Sequence, residues 1–419
     1  MSPVVIALLI LQTNGQSSIF KTTVPRPTGK NGYEEYVRAA EIVTSPECSF
    51  MMNYDPKSPT PPQADEETPS DKFKNLQKTY QRILGKTPLQ IRRLLYKDFG
   101  RALELVRIGN AKPIFTTRPI TMETLFPEYS AFKRLVKYGV MCSDSLIADG
   151  RTGEASKVLV DLFTMAKNIQ RDTLIGLLVG ISCESILMAS IQNHMEHLSE
   201  VDWRYLESSA REFLSSANPI PQIMLTELSF LDPLKKEPKE ALLSFLNDDN
   251  SSQRAKGVIA KLQTMSKAEA SDLIQDAITE IKTYSQLLIR TMDAPESEWG
   301  NVPDLPDASD ATWLGQQLQP DYRNVLGAYA RIRTQLRILR LHSLVQMYRW
   351  HWNELPKSLE IITDPKERFD PLSQFEFMFE IKGSGYRIYS KGSKTTGEIE
   401  LIYRRNNPSE TPLDIPPLH

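Results

Sequence analysis

Residues Tyr322–Lys391 read YRNVLGAYARIRTQLRILRLHSLVQMYRWHWNELPKSLEIITDPKERFDPLSQFEFMFEIKGSGYRIYSK, and the change of period within them decides the fold class. Val325, Tyr329, Ile332, Leu336 and Leu339 recur at alternating steps of four and three, which places them on one helical face. Leu341, Val345, Tyr348 and Trp352 continue the row with the face rotated, so the end of this helix is expected to be covered on more than one side. His342 and His351 do not share a face and are expected to be buried with Trp350 or Trp352. Arg331, Arg333, Arg337 and Arg340 fall mostly between the apolar rows and form a candidate partner surface. The plainer reading is a solvated face whose side-chain stems cover apolar neighbours. Since no Gly/aromatic pattern suited to stacking bases accompanies them, there is no specific nucleic-acid signal.

Pro356 ends the helix, because the residue before a proline is pushed out of helical geometry. Ser358–Ile362 can make one more short turn, and beyond Asp364-Pro365 and Asp370-Pro371 the period becomes two. Phe375, Phe377 and Phe379 alternate with Glu376 and Met378, and Tyr386, Ile388 and Ser390 alternate with Arg387 and Tyr389. With Lys382-Gly383-Ser384-Gly385 between them, these predict a β-hairpin, and Glu398–Tyr403 predicts a third strand. The glycines are turn residues, because no helix follows to offer its N-terminus to a phosphate.

A chain of 419 residues can bury a substantial core in one large domain or two. Its net charge of -2 gives no global drive toward nucleic acid or anionic membranes, and 24% charged residues describe an ordinary folded protein. Cys48, Cys142 and Cys183 are too scattered for a disulfide scaffold, although one disulfide between two of them is allowed. Val4–Leu11, VVIALLIL, is too short to span a bilayer as a normal helix but matches the apolar core of a secretory signal. It is read as a leader or N-terminal membrane anchor, against the alternative of a buried N-terminal strand or helix. Export makes the expected location periplasmic, secreted or N-terminally anchored, with a cytoplasmic location as the alternative.

The chain is divided into a leader or anchor and linker (1–31), a helical domain (32–320), a long helix plus β module packed on it (321–405) and a tail (406–419). Pro46–Ser70, rich in Pro, Ser and acids, reads as an exposed loop. Two helical segments follow, Phe73–Ile83 and Pro88–Val106, the second behind a Thr87 cap with proline at its first position. Leu174–Ile181 is apolar nearly all round, with Gly176 and Gly180 spaced for close packing, and reads as the innermost helix of a soluble bundle. Ser199 with Asp202 and Ser266 with Glu269 are capping pairs. Ala241–Leu246 and Ala255–Leu262 read as shorter helices, and Asp293–Gln319, with its Pro and Gly, as a long crossover that serves as a lid or a partner contact.

The chemistry tested on these elements is sparse. His194 and His197, with Glu184 upstream, are weak metal candidates, since histidines three apart can share an ion. Asn193-His194-Met195-Glu196-His197 has the wrong order for a zinc-peptidase helix. Asp202, Glu207 and Glu212 are carboxylates without a demonstrated cleft, and Ser182-Cys183-Glu184-Ser185 lacks the glycines of a nucleophile elbow. No catalytic residue and no cofactor is assigned from these patterns.

Two stretches carry a resemblance. Tyr33–Ala40 and Tyr129–Leu198, with Thr152-Gly153-Glu154-Ala155 and Leu177-Leu178-Val179-Gly180-Ile181, resemble uncharacterised exported helical proteins of planctomycete-like bacteria. Pro356-Lys357-Ser358-Leu359, Asp370-Pro371 and Tyr389-Ser390-Lys391-Gly392 resemble the ending of those proteins, and also the C-terminal part of type II secretion major pseudopilins. The resemblance implies export and a helix-plus-sheet ending. Some related endings bind calcium in an acidic loop, but Lys391–Gly397 has no acids, so calcium is not carried over. The expectation is a mainly α protein, a multi-helix array with a small C-terminal antiparallel β module. Its expected role is noncatalytic binding or scaffolding with a protein or envelope component as partner. The alternative is a hydrolase with an acidic or histidine-containing cleft between helices.

Overall fold

The computed structural model describes residues 29–63, 70–115, 120, 124, 126–229, 231, 253–299, 309–318, 322–383, 385–394 and 396–403. The leader Val4–Leu11, the helix expected at Ala241–Leu246 and the 406–419 tail lie outside them. Helix α1 (Gly32–Val43) starts behind Asn31, whose side chain accepts from the Tyr33 amide. Helix α2 (Pro46–Asn53) replaces the first part of the expected loop. Ser45 caps it and Pro46 stands at its first position, where a missing N–H costs nothing, so the proline starts a helix rather than preventing one. Pro59–Pro62 remains irregular and largely exposed. Helix α3 (Ser70–Ile83) is followed by α4 (Pro88–Phe99), fixed by a capping box between Thr87 and Gln90. The expected continuation of α4 breaks at Gly100, and α5 (Arg101–Asn110) is a separate helix.

The central helices follow as α6 (Glu128–Ala148), α7 (Thr152–Asn168), α8 (Leu174–His194), α9 (Glu200–Ser215) and α10 (Ile220–Ser229). Both expected capping pairs are present, Ser199/Asp202 before α9 and Ser266/Glu269 before the later helix α12. By length and composition α8 could cross a membrane, but most of it is buried among its neighbours. Gly176 and Gly180 explain how α7 approaches it. A Cβ on Gly180 would lie 2.6 Å from the Ala166 carbonyl oxygen, and one on Gly176 2.6 Å from that of Ile169. Only glycine lets the two backbones lie this close.

Helices α11 (Gln253–Thr264), α12 (Lys267–Thr291) and α13 (Asp310–Leu318) come next, with a short 3-10 turn at Glu296–Glu298. Helix α13 lies in the stretch expected as a crossover, because Ser309 and Thr312 exchange amide and hydroxyl bonds that cap it. Helix α14 (Tyr322–Trp352) is the organising helix. A 3-10 turn at Leu359–Ile361 and one helical turn, α15 (Pro365–Arg368), carry the chain to the strands. Strands β1 (Phe369–Asp370) and β2 (Phe375–Glu376) pair with each other. Strands β3 (Met378–Lys382), β4 (Gly385–Ser390) and β5 (Ile399–Tyr403) form an antiparallel sheet in that order. Gly383, at φ 60°, takes the left-handed geometry of the β3–β4 turn. The protein is therefore mainly α-helical with a small C-terminal antiparallel β module.

The main core runs from Tyr36 to Leu401 and joins α1–α10, α14 and the sheet. A second, smaller core is built from Val258 and Leu262 of α11, Ile274–Ile281 of α12, and Trp313 and Leu314 of α13. Helix α12 links the two, because its Tyr284 and Leu288 belong to the main core. Cys48, Cys142 and Cys183 are all free and buried, so the allowed disulfide does not form.

Candidate functional site

Helix α8 delivers His194 to its C-terminal end, where Nε2 lies 2.6 Å from Asp144 Oδ1 of α6. Arg92 of α4 forms an ion pair with the other Asp144 oxygen at 2.8 Å. All three side chains are buried, and burial lowers the Arg92 pKa against the pull of Asp144. His194 Nδ1 has no hydrogen-bond partner among the described residues. His197 is exposed, its ring centre 6.3 Å from that of His194. Glu184 is elsewhere on α8, fully buried in an ion pair with Lys167 of α7 at 3.2 Å. Burial raises its pKa, and Lys167 opposes that rise. His194, His197 and Glu184 are thus not brought together. Among the described residues no group of three or more His, Cys, Asp or Glu is placed to hold a metal ion. Cys183 is equally inaccessible, with burial pushing its thiol up to about 12, opposite to the shift a nucleophilic cysteine needs.

The arginines of α14 are neither a free stripe nor simply solvated. Arg333 and Arg337 both bind Glu296, at 3.0 and 2.7 Å. Arg340 binds Glu207 of α9 at 2.8 Å and also Glu367 of α15. Burial pushes the Glu296 carboxyl up, but the Arg337 and Arg333 guanidiniums outweigh it and leave the group below the usual carboxylate range. Three of the four candidate arginines therefore bind α14 to its neighbours. Arg331 alone is exposed, and it donates to the Thr396 carbonyl at 2.9 Å. Spacing pointed to a charged row, but the acids that meet it come from positions up to 133 residues away. Nor do the candidate carboxylates of α9 converge on a cleft: Asp202 caps its own helix and Glu207 is held by Arg340 and Arg211.

One turn further along α14, His342 is buried against the sheet. The Leu401 carbonyl can only accept, so Nε2 donates to it at 2.9 Å and Nδ1 accepts from the Tyr386 hydroxyl at 3.1 Å. Gln346 donates to the same hydroxyl at 2.8 Å. Burial lowers the His342 pKa to about 4, with the Leu401 bond opposing. His342 is thus buried with Tyr386 rather than with a tryptophan.

The last turn of α14 departs furthest from expectation. Trp350, His351 and Trp352 are all exposed, the two indoles at 57% and 60%. His351 meets Trp352 edge-on at 4.7 Å, and Tyr348 lies 6.1 Å from Trp352. The sheet bonds to α14 at Gln346, and the helix runs on to Trp352 before Asn353 (φ 57°) turns the chain. Periodicity extends an apolar row without showing where its cover stops.

Comparison with protein-family models, curated proteins and solved structures finds no match to this chain.

Proposed function

We propose that the protein is a noncatalytic binding or scaffold component of the cell envelope, acting outside the cytoplasm. One observation carries this reading. Six of the thirteen large apolar side chains exposed among the described residues fall between Trp350 and Ile381, the others being Trp352, Ile361, Phe369 and Phe375. Apolar side chains left in solvent at this density along the chain support a partner-binding surface, the use to which exposed apolar groups are put where they adjoin. The interior acids and bases are tied to each other, as Arg92–Asp144–His194 and Arg333–Glu296–Arg337 illustrate, and this favours binding over turnover. The Val4–Leu11 run supports export from sequence alone. Its test is fractionation of cells with determination of the mature N-terminus. An envelope or secreted product is expected, and a cytosolic chain beginning at Met1 would sink the proposal.

The buried Asp144–His194 pair supports the second reading, a hydrolase, because a carboxylate orients the imidazole and Nδ1 is unpartnered. Ester or amide turnover by the purified protein, lost in His194→Gln with the fold intact, would establish that reading in place of the first.

A further inference from the structure

We propose that the outer face of α3 docks on an anionic lipid bilayer, with its lysines at the level of the headgroup phosphates. The inference rests on the envelope reading above and adds a lipid partner, met by other residues than Trp350–Ile381. From Lys72 to Lys97 the chain carries eight basic side chains and no acidic one, although its net charge is -2. Folding brings acids only to the arginines: Arg82 pairs with Asp98, Arg92 with Asp144 and Arg93 with Asp149. The lysines stay unmatched. Lys72, Lys74 and Lys78 of α3 and Lys97 of α4 are exposed, and Lys86 between the two helices is half-buried. Among the described residues only Lys74 of these has an ion-pair partner, Asp71 at 3.6 Å. Both side chains of that pair are mostly in solvent, where such a contact contributes little.

The helix itself gains nothing from these charges. Lys72 stands in the first turn of α3, where the helix dipole disfavours a cation. Lys74, Lys78 and Arg82 follow at steps of four, so each repels the next. Helix α9 is built the opposite way, with Glu200 pairing Arg204 and Glu207 pairing Arg211 at the same spacing. An all-positive row is stabilised when an anionic surface lies against it. The other side of α3 is already occupied. Tyr80 meets Phe50 and Tyr54 edge-on at 6.3 and 6.2 Å, and Ile83 belongs to the main core. Lys78 lies about 160° round the helix from Tyr80 and therefore faces away from the protein. The same packing favours lipid over nucleic acid, because Tyr80 is engaged with two protein rings instead of being offered to bases. Lysine is a point charge on a flexible stem, which suits a fluid array of phosphates, whereas a fixed partner is better matched by the planar fork of arginine.

The experiment uses the full chain and vesicles of phosphatidylcholine with and without phosphatidylglycerol, read by co-sedimentation. Native protein is expected to bind the phosphatidylglycerol vesicles and to leave them at about 1 M salt, where the Debye length is about 3 Å. A lysine near an anionic surface is worth about fivefold in binding, so Lys72→Gln/Lys74→Gln/Lys78→Gln should lose roughly tenfold or more at unchanged melting temperature. Lys78→Gln alone should lose about fivefold, and arginine at the same three positions should retain binding. Absence of binding, equal binding to phosphatidylcholine alone, or equal binding by the glutamine variants overturns the proposal. So does duplex DNA that binds more tightly than the vesicles through the same lysines, because the face would then serve nucleic acid. If vesicles fail while fractionation places the chain in the envelope, the lipid assignment falls and the envelope reading stands. If the lysines bind vesicles while the chain is cytosolic, the docking face stands and the envelope reading falls.

Discussion

Helices α8 and α14 both cross the main core, and they are buried by different means. Helix α8 is apolar on every side, and its one interior acid, Glu184, is met by Lys167. Close backbone approach at Gly176 and Gly180 completes its cover. Helix α14 has an apolar face and a row of arginines, and its charged side is accommodated only because Glu296, Glu207 and Glu367 are brought to it. Beyond that cover it emerges into solvent. A helix buried by composition needs neighbours of the right shape, whereas a helix buried by matched charge needs particular neighbours. The second kind is free to be exposed where those neighbours end.

This contrast is most open to challenge at Glu296. Glu296→Ala leaves Arg333 and Arg337 without their shared counter-charge in a largely buried site, and a loss of about 3–5 kcal/mol in denaturant-unfolding stability is expected. A loss below about 1 kcal/mol would show that α14 does not depend on charge matching.

The next effect concerns pH. The unfolded chain protonates His342 near 6.5, whereas the folded chain resists until about 4. Unfolded protein therefore binds more protons between these values. The contribution of His342 is complete above about 6.5 and declines by about 3 kcal/mol as pH falls toward 4, with no further change below. Unfolding of native protein and His342→Gln across this window should show a slope in the first that is reduced in the second.

For α8, Gly180→Ala places a methyl group against the Ala166 carbonyl, and about 1–3 kcal/mol of destabilisation is expected from the same unfolding measurement. A neutral result would mean that α7 can move away at no cost. The smallest effect belongs to the tip of α14. Because their side chains are mostly in solvent, Trp350→Ala and Trp352→Ala should each change stability by less than about 0.5 kcal/mol. A larger loss would show that the tip is packed in solution.

Much of the fold was legible because its signals are local. Ser199/Asp202, Ser266/Glu269 and Thr87-Pro88 lie beside the helices they start, and Gly383 sits in the turn that needs it. Misreadings arose where one residue type has two uses. The composition of Pro46–Ser70 predicts a loop, but the serine cap before Pro46 makes that proline a helix start. Ser309 and Thr312 cap a helix inside a stretch that its prolines mark as a crossover. The site residues were less legible. His194 stands out by its spacing from His197, but its partners Asp144 and Arg92 lie 50 and 102 positions away, so no spacing rule connects them.

By itself, the sequence determined most of the helices, that α8 must be interior, and that antiparallel strands follow the long helix, because periodicity, caps and turn residues act within a few positions. Tertiary structure alone decided what those faces meet. It placed Glu296 between two arginines, put His342 on the Leu401 carbonyl, left the three cysteines unbonded and left Trp350 and Trp352 uncovered. Each of these depends on contacts between residues distant in the chain, and burial turns those contacts into charge pairing, proton affinity or exposed apolar surface.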